Sequence, residues 1–290
     1  PDLEDANLVS YRDFVNGDDH IIQDRGIDRH GTMMAGILVS HGQYPGAAPN
    51  VGLVVAAALN SEGTTQSEST VSDAIEWCWN DMDVDIISLS LGGDPDPENP
   101  LGSQTADAVS DALDHGVFVV AAAGNSGGAG TGVTDVSVPA NVDGVIAVGA
   151  VDNKGSLWDR TATGSNTEGA DGNLRVEPNQ KPEVSAPGVG IISTSDPSQS
   201  IPYSASSGTS DATVFVTGAL ALILERHGDA LPSSNSTRAA ITLVKQALAD
   251  SCQPHALQGD DHHPRWGYGI LDATAWERAV ADRIASQGDI

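Results

Sequence analysis

Short apolar runs alternate with amphipathic stretches along most of the chain. Continuous runs of β-branched and small apolar residues predict strands that are buried on both faces. These runs lie at residues 51–59, 84–89, 117–123, 145–151 and 189–194. Apolar residues at helical spacing predict helices at residues 67–80, 103–115, 210–225 and 238–249. This order predicts an α/β fold of three layers, a mainly parallel β-sheet with helices on both faces.

The same pattern indicates one domain over residues 1–290, because no internal repeat and no Pro/Ser-rich linker divides the chain. The longest apolar stretch, Val214 to Leu224, is interrupted by Thr217 and Gly218 and is too short to span a bilayer. We therefore expect no membrane-spanning helix.

The charge of the chain narrows its range of partners. Asp and Glu number 40 against 13 Lys and Arg, which gives a formal net charge of −27. Such a chain repels phosphates, so no nucleic-acid partner is expected. A dense anionic surface keeps a protein soluble at high salt, where screening damps self-repulsion. We interpret the acidity as salt adaptation, with calcium-rich loops or ordinary acidity as the alternatives.

The two cysteines, Cys78 and Cys252, do not predict a disulfide framework. Cys78 lies between Trp77 and Trp79 in a predicted helix and is interpreted as an apolar filler. A single bridge between the two thiols is left open.

Three short motifs carry residue types that catalysis uses. They are His30-Gly31-Thr32 at a helix start, Ala123-Gly124-Asn125 at a strand end, and Gly208-Thr209-Ser210 before an apolar helix. Each motif alone has an ordinary structural explanation, namely a helix-start residue, a turn asparagine and an N-cap. Only their combination indicates chemistry.

Together the three motifs supply what acyl transfer requires. Ser210 at a helix N-terminus is a candidate nucleophile, since the free N–H groups there face a developing oxyanion. His30 can take the hydroxyl proton and return it to the leaving amine. Asn125 can donate its amide N–H to the tetrahedral intermediate. The long separation in sequence is no obstacle, because the fold assembles such groups.

The ordered motifs resemble those of the subtilisin-like serine peptidases, the subtilase family. The likeness extends to the segments at residues 84–93, 139–150, 185–188 and 267–273. It implies a serine endopeptidase that cuts protein or peptide substrates through an acyl-enzyme. By the same resemblance, Ser90, Leu91 and Gly92 bind the peptide backbone, and Ala122 and Gly124 line a roomy apolar pocket for one substrate side chain.

The family's Asp-Thr-Gly motif, which carries the aspartate that orients the histidine, has no match in this chain. Pro1-Asp2-Leu3 resembles the segment that follows that motif, so we expect an N-terminally truncated sequence with an unpaired edge inside its sheet. Asp24 and Asp28 precede His30 but do not fit the motif. A separately supplied N-terminal piece and a non-catalytic descendant remain alternatives.

Other positions depart from the family pattern near the proposed catalytic residues. Arg29 stands where the family usually has glycine, and Met33 replaces its second histidine. Asp211 replaces the methionine that follows the nucleophile. We interpret Asp211 as an acid that stabilises the helix start, the alternative being that its charge raises the pKa of His30.

The remaining expectations concern ions, partners and location. The chemistry requires no cofactor, and a structural Ca²⁺ in the acidic loop from Asp13 to Asp28 is left open, since metal ligands are not assigned. Residues 260–263, Asp-Asp-His-His, are interpreted as a solvated loop.

We expect a secreted monomer, with a cytoplasmic location as the alternative and a propeptide as an open partner. The sequence lacks the Gly-x-Ser-x-Gly context of α/β-hydrolases and a complete dinucleotide-binding motif. The remaining rival is a scaffold that binds peptides without cutting them.

Overall fold

Four parallel strands and one long buried helix form the centre of the molecule. The computed structural model describes residues 2–20, 22–24, 26–96, 103–127, 135–165, 173–196, 198–232, 238–259 and 261–288. The strands are β1 (Leu8–Asp13), β2 (Leu53–Ala57), β3 (Ile86–Leu89), β4 (Phe118–Ala122), β5 (Ile146–Val151), β6 (Val184–Pro187), β7 (Val189–Thr194) and β8 (Tyr203–Ser207). The helices are α1 (His30–Val39), α2 (Glu68–Glu76), α3 (Gln104–Asp114), α4 (Thr209–His227), α5 (Ala239–Ser251) and α6 (Ala273–Gly288).

The central sheet has the strand order β3-β4-β5-β6, and every pair in it is parallel. Residues of β4 and β5 are buried throughout, as their continuous apolar sequences predict. Helix α4 packs against all four strands and buries Val216, Leu220 and Ile223, each at most 1% exposed. The predicted α/β class, a parallel sheet with flanking helices, is confirmed.

Some elements differ from the sequence prediction. The predicted helix over residues 67–80 divides into α2 and a π-helical turn, Trp77–Asp81. Strands β1, β6 and β8 and helix α6 were not predicted. Strand β8 has no clear hydrophobicity pattern because it is rich in serine. Within the described residues it pairs with β7 alone, in an antiparallel hairpin outside the central sheet. None of the described helices combines the length and apolar character needed to cross a membrane.

A cavity of about 1210 Å³ separates the central sheet from a two-stranded parallel sheet, β1-β2. Strand β2 pairs only with β1, and β3 pairs only with β4, within the described part of the chain. Residues of both β2 and β3 line the cavity, together with apolar side chains of α2 and α4. Within the described residues, two strands with one unpaired edge each therefore border one apolar space.

Both cysteines are free thiols, so the bridge that the sequence left open is not formed. Cys78 is half-buried and Cys252 is buried. Burial raises the pKa of the Cys78 thiol to about 11 and also raises that of Cys252. Both side chains are therefore protonated at neutral pH and act as small apolar groups.

A buried ionic cluster joins α5 to the loops beside β5 and β6. Glu183 Oε1 accepts hydrogen bonds from Lys181 Nζ at 2.9 Å and from Lys245 Nζ at 2.7 Å, and its Oε2 accepts from the N–H of Ala147 at 2.8 Å. Both ammonium groups also donate to the carbonyl of Val145 at 2.9 Å. Burial lowers the pKa of Lys181 to about 8, although the charge of Glu183 opposes this shift. One carboxylate thus holds two desolvated cations.

Replacing that carboxylate is expected to destabilise the fold strongly. The substitution Glu183→Gln leaves two buried ammonium groups without their shared counter-ion, and we expect the free energy of unfolding to fall by about 3–5 kcal/mol. The measurement is urea-induced unfolding at pH 7, followed by circular dichroism. The control is Asp250→Asn, which breaks the partly exposed ion pair with Arg283 and is expected to cost at most about 1 kcal/mol. Equal losses in the two variants would contradict a structural role for the buried cluster.

Candidate active site

A groove of about 1230 Å³ runs past the carboxyl ends of β3 and β4 and the start of α4. Ligand sites of parallel α/β sheets lie at this edge, because the loops that follow the strands converge there. All residues that the sequence analysis selected line this one groove: His30, Ser90, Leu91, Gly92, Ala122, Gly124, Asn125 and Ser210. Three sequence-distant motifs therefore share a single surface.

Ser210 is the second residue of α4, where the first backbone N–H groups have no partner inside the helix. Its hydroxyl donates to the carbonyl oxygen of Ser90 at 3.2 Å, and the Ser90 hydroxyl donates to the carbonyl oxygen of Ser210 at 3.0 Å. These reciprocal bonds fix the start of α4 against the segment that follows β3. The candidate nucleophile thus lies beside the candidate substrate-binding strand.

The amide group of Asn125 has a defined orientation. Its Oδ1 accepts hydrogen bonds from the backbone N–H of Thr209 at 3.1 Å and from the Thr209 hydroxyl at 2.9 Å. A backbone N–H can only donate, so the atom that it contacts must be the amide oxygen. The Nδ2 donor is thereby left available to the groove, as an oxyanion hole requires.

Gly124 is required by its conformation and by its neighbour. Its φ angle is 109°, in the region that favours glycine, and a Cβ atom there would collide with the Ser137 hydroxyl. The N–H of Gly124 donates to the Thr209 hydroxyl at 3.2 Å. Ala122 is buried, with 5% of its surface exposed. The pocket wall beside these small residues therefore includes a buried hydroxyl, a feature that the sequence analysis did not anticipate.

His30 begins α1 after an unusual approach of the chain. Asp28 and Arg29 have φ angles of 51° and 57°, a left-handed conformation that costs a non-glycine residue roughly 1–2 kcal/mol each. Arg29 occupies the position at which the family usually has glycine, and its guanidinium donates to the carbonyl of Asp24. The Asp24 carboxylate in turn accepts from the N–H of Thr32 at 2.6 Å and from its hydroxyl at 2.7 Å. A distant aspartate thus caps the helix that carries His30.

The opposite side of α1 is held by strand β7. The hydroxyl of Ser193 donates to the carbonyl of Met33 at 2.7 Å, and that of Thr194 donates to the carbonyl of Thr32 at 3.0 Å. These two side chains lie directly against Gly36, where a Cβ atom would collide with both. The close contact between α1 and β7 fixes the position of His30 in the groove.

The electrostatic surroundings of His30 are set by burial and by one carboxylate. Burial lowers the pKa of the imidazole, and the negative charge of Asp24 acts in the opposite direction. Within the described residues, the ring makes no hydrogen bond to a carboxylate or to Ser210. The charge that acts on His30 is therefore that of Asp24 and not that of Asp211, which the sequence analysis had weighed for this effect.

Asp211 is itself buried, with 2% of its surface exposed. It lies in the first turn of α4 and accepts a hydrogen bond from the Ser206 hydroxyl of β8. Burial raises the pKa of Asp211, while the Ser206 hydroxyl and its own backbone N–H lower it. The sequence correctly places Asp211 at a helix start, but it does not predict that the side chain is buried.

The side chains considered for metal binding make other contacts. His262 Nε2 contacts the carbonyl of Pro182 at 2.8 Å, and His263 Nδ1 accepts from the N–H of Arg265 at 3.1 Å. In the acidic loop, the Asp13 carboxylate accepts from the N–H of Val15 at 2.9 Å. The described segments contain no group of three or more His, Cys, Asp or Glu side chains that could hold a metal ion. Asp260 lies outside the described residues.

Thr209, Ser206 and Ser137 are the site residues that sequence reasoning missed. Thr209 was visible as part of Gly-Thr-Ser, but nothing in the sequence shows that its hydroxyl binds Asn125. Ser206 and Ser137 belong to serine-containing stretches without a distinctive pattern. Only the contacts in space identify them.

The sequence pattern of the Subtilase family (Peptidase S8) matches residues 1–269. The chain belongs to the subtilase family. It is 36% identical over 251 residues to subtilisin DY of Bacillus licheniformis, with 85% of this chain and 80% of that protein covered.

Other relatives of this subtilase differ in length. Serine protease AprX of Bacillus subtilis (strain 168) is 34% identical over 261 residues, which cover 80% of this chain but only 55% of AprX. This chain therefore spans about half of that relative. Among solved structures, a serine-to-alanine mutant of the protease domain of PatA superposes with a TM-score of 0.72 and 26% identity. That superposition covers 97% of this chain and 90% of the PatA chain.

Neutralising Asp24 is expected to lower the pKa of His30 further. The substitution Asp24→Asn removes the charge that favours the imidazolium, while the amide oxygen can still accept the Thr32 hydrogen bonds. The pH at which His30 loses its proton should therefore fall, as measured by NMR titration of its ring protons. The control is Asp28→Asn, which removes an exposed charge that does not contribute to the His30 shift. An unchanged or higher His30 pKa in Asp24→Asn would contradict this account.

Proposed function

We propose that this subtilase is a serine endopeptidase that cuts peptide bonds through an acyl-enzyme on Ser210. The observation that carries the proposal is the orientation of Asn125, whose amide oxygen is held by Thr209 so that its Nδ2 can serve the groove. An asparagine held only for turn formation would not need this arrangement beside a serine at a helix start. The family membership of the chain supports the same chemistry.

The proposed reaction assigns one role to each group. Rotation of the Ser210 side chain exchanges its bond to the Ser90 carbonyl for one to His30, and the hydroxyl oxygen attacks the substrate carbonyl carbon. His30 takes the hydroxyl proton and then donates it to the leaving amine as the C–N bond breaks. Asn125 Nδ2 and the Ser210 N–H stabilise the oxyanion. Water, activated by His30, then hydrolyses the ester and restores the serine.

Substrate would bind as an extended strand along Ser90, Leu91 and Gly92. Gly92 is exposed, and a Cβ atom at this position would lie 2.8 Å from the carbonyl oxygen of Val138. The next residue, Gly93, exchanges backbone hydrogen bonds with Val138. The backbone on the groove side can therefore add a peptide strand, with specificity left to the side-chain pockets.

The enzyme is distinguished from a non-cutting peptide scaffold by reaction with a small fluorophosphonate. We expect Ser210 to be labelled, as located by peptide mass spectrometry, and Ser210→Ala to abolish the labelling. The variant Asn125→Ala should slow peptide hydrolysis by about 10²–10³-fold, because one oxyanion donor is lost. No labelling of Ser210 would support the scaffold instead, whereas unchanged hydrolysis in Asn125→Ala would contradict the oxyanion role of Asn125.

We propose further that the carboxylate that orients His30 belongs to a strand that fills the cavity between β2 and β3. Gly31, Ser88 and Ser90 line both this cavity and the catalytic groove. A strand that lies parallel to β2 and β3 would therefore end next to His30. It would also pair the two free strand edges.

A designed extension tests this proposal. An apolar strand that ends in Asp-Thr-Gly is joined to Pro1 through a flexible Gly/Ser linker, and the control carries Asn-Thr-Gly instead. Both extensions should raise the melting temperature equally, since both can pair with β2 and β3. Only the aspartate version can orient His30, so we expect it to hydrolyse peptides about 10⁴-fold faster. Equal rates in the two versions would show that the acid is not supplied from this cavity.

A further inference from the structure

The side chain of Asp211 lies beside the two proposed oxyanion donors. A Cβ atom built on Gly208 would lie 3.3 Å from Asp211 Oδ2, 3.6 Å from the backbone nitrogen of Ser210 and 3.7 Å from Asn125 Nδ2. These three atoms therefore all lie within 3.7 Å of one point at the turn before α4. A negative charge on Asp211 would therefore lie within about 10 Å of an oxyanion that is hydrogen-bonded to these two donors.

The structure offers little to stabilise that charge. The Asp211 carboxyl group has one side-chain hydrogen bond, from Ser206, and no charged side chain of the described residues contributes to the shift of its pKa. Burial raises this pKa, and the positive end of the α4 dipole is the remaining favourable influence. The same helix end is what would stabilise the oxyanion, so the two negative charges would compete for it.

The elements packed against α4 add few titratable groups at this end. Strands β3, β4, β5, β6 and β7 carry none, and α1 carries only His30. Strand β8 carries Tyr203, whose hydroxyl is bonded to Asp2 at 2.7 Å. Helix α6 contacts the far end of α4 through His227, which lies about 24 Å along the helix axis from Asp211.

We propose that Asp211 is a positioning residue that supports acyl transfer in its neutral form and opposes it when ionised. The inference rests on the proposed serine-peptidase function and adds a charge control to the same site. As a neutral acid, Asp211 holds the Ser206–Gly208 turn and leaves the helix end to the oxyanion. As a carboxylate, it interacts with the same helix dipole and repels the oxyanion. Ionisation of Asp211 therefore lowers activity at high pH, and Asp211 does not extend the active range to higher pH.

The first test compares the pH dependence of Ser210 labelling by a fluorophosphonate in the parent chain and in Asp211→Asn. The amide keeps the shape and the Ser206 contact but carries no charge at any pH. We expect similar labelling rates at low pH, where both side chains are neutral, and a variant about tenfold faster at high pH. A ratio of rates that stays constant across pH, whether above or below one, would show a merely structural role.

The second test shifts the pH at which Asp211 ionises without changing Asp211 itself. The Ser206 hydroxyl stabilises the ionised form, so Ser206→Ala should raise the pKa of Asp211 and shift the alkaline decline to higher pH. The control is Ser204→Ala in the same strand, where the side chain is exposed. A shift to lower pH, or equal behaviour of the two serine variants, would overturn the proposal.

A measurement without catalysis separates this inference from the proposed function. Carbon-13 NMR of Ser210→Ala protein, labelled at its aspartate carboxyl groups, reports the Asp211 titration, which Asp211→Asn identifies by the loss of one resonance. We expect Asp211 to titrate above the exposed aspartates. An ordinary aspartate pKa for Asp211 would overturn the inference, even if Ser210 is labelled. A raised Asp211 pKa without labelling of Ser210 would count against the peptidase function alone, because the charge state of Asp211 would still be established.

Discussion

The two hydrogen bonds from Thr209 to the amide oxygen of Asn125 are the contact on which the site depends. They join the first turn of α4 to the loop after β4, and they decide which end of the amide faces the groove. The same hydroxyl of Thr209 accepts from the N–H of Gly124, which holds that loop in its left-handed conformation. One buried side chain therefore links the position of Ser210 to the orientation of the Asn125 amide.

The sheet around this site is held together unevenly. Helix α4 packs on all four central strands, so the side of the groove that carries Ser210 and Asn125 is supported by a continuous core. The side that carries His30 is held by the contacts of α1 with α4 and β7 and by the Asp24 cap. Between the two lies the cavity bordered by β2 and β3. Helix α1 packs directly on α4, so the elements that carry His30 and Ser210 are also in contact with each other.

Charge is distributed just as unevenly. The chain has 40 acidic residues and 13 Lys and Arg, and the lysines Lys181 and Lys245 are fully or almost fully buried around Glu183. These two of the 13 positive charges are thus placed in the interior, where they fix the loops beside β5, and the chain as a whole is strongly acidic. Asp211 differs from the lysines in the sign of its charge, since it is a carboxyl group that is buried in the site itself. Both arrangements change which protonation state the fold favours.

Much of the fold could be predicted because its central strands are continuous apolar runs. Such a run, as in β4 or β5, has only one favourable place, between two layers of helices. Strand β8 and helix α6 could not be predicted in this way, because serine-rich and weakly amphipathic sequences are compatible with several structures. The groove residues His30, Asn125 and Ser210 were selected from residue chemistry and family motifs. The roles of Thr209, Ser206 and Ser137 were not visible, because hydroxyl groups acquire a function only from their partners.

The sequence by itself determined the residue types that can act as base, nucleophile and oxyanion donor, and the order of the strands and helices that carry them. The tertiary structure decided which atoms meet. Thr209 binds Asn125 across 84 positions and Ser210 binds Ser90 across 120 positions. Local propensities cannot fix such contacts, since they depend on how separate elements pack. For the same reason only the folded chain shows Asp211 buried, because desolvation comes from the surrounding layers and not from the residue itself.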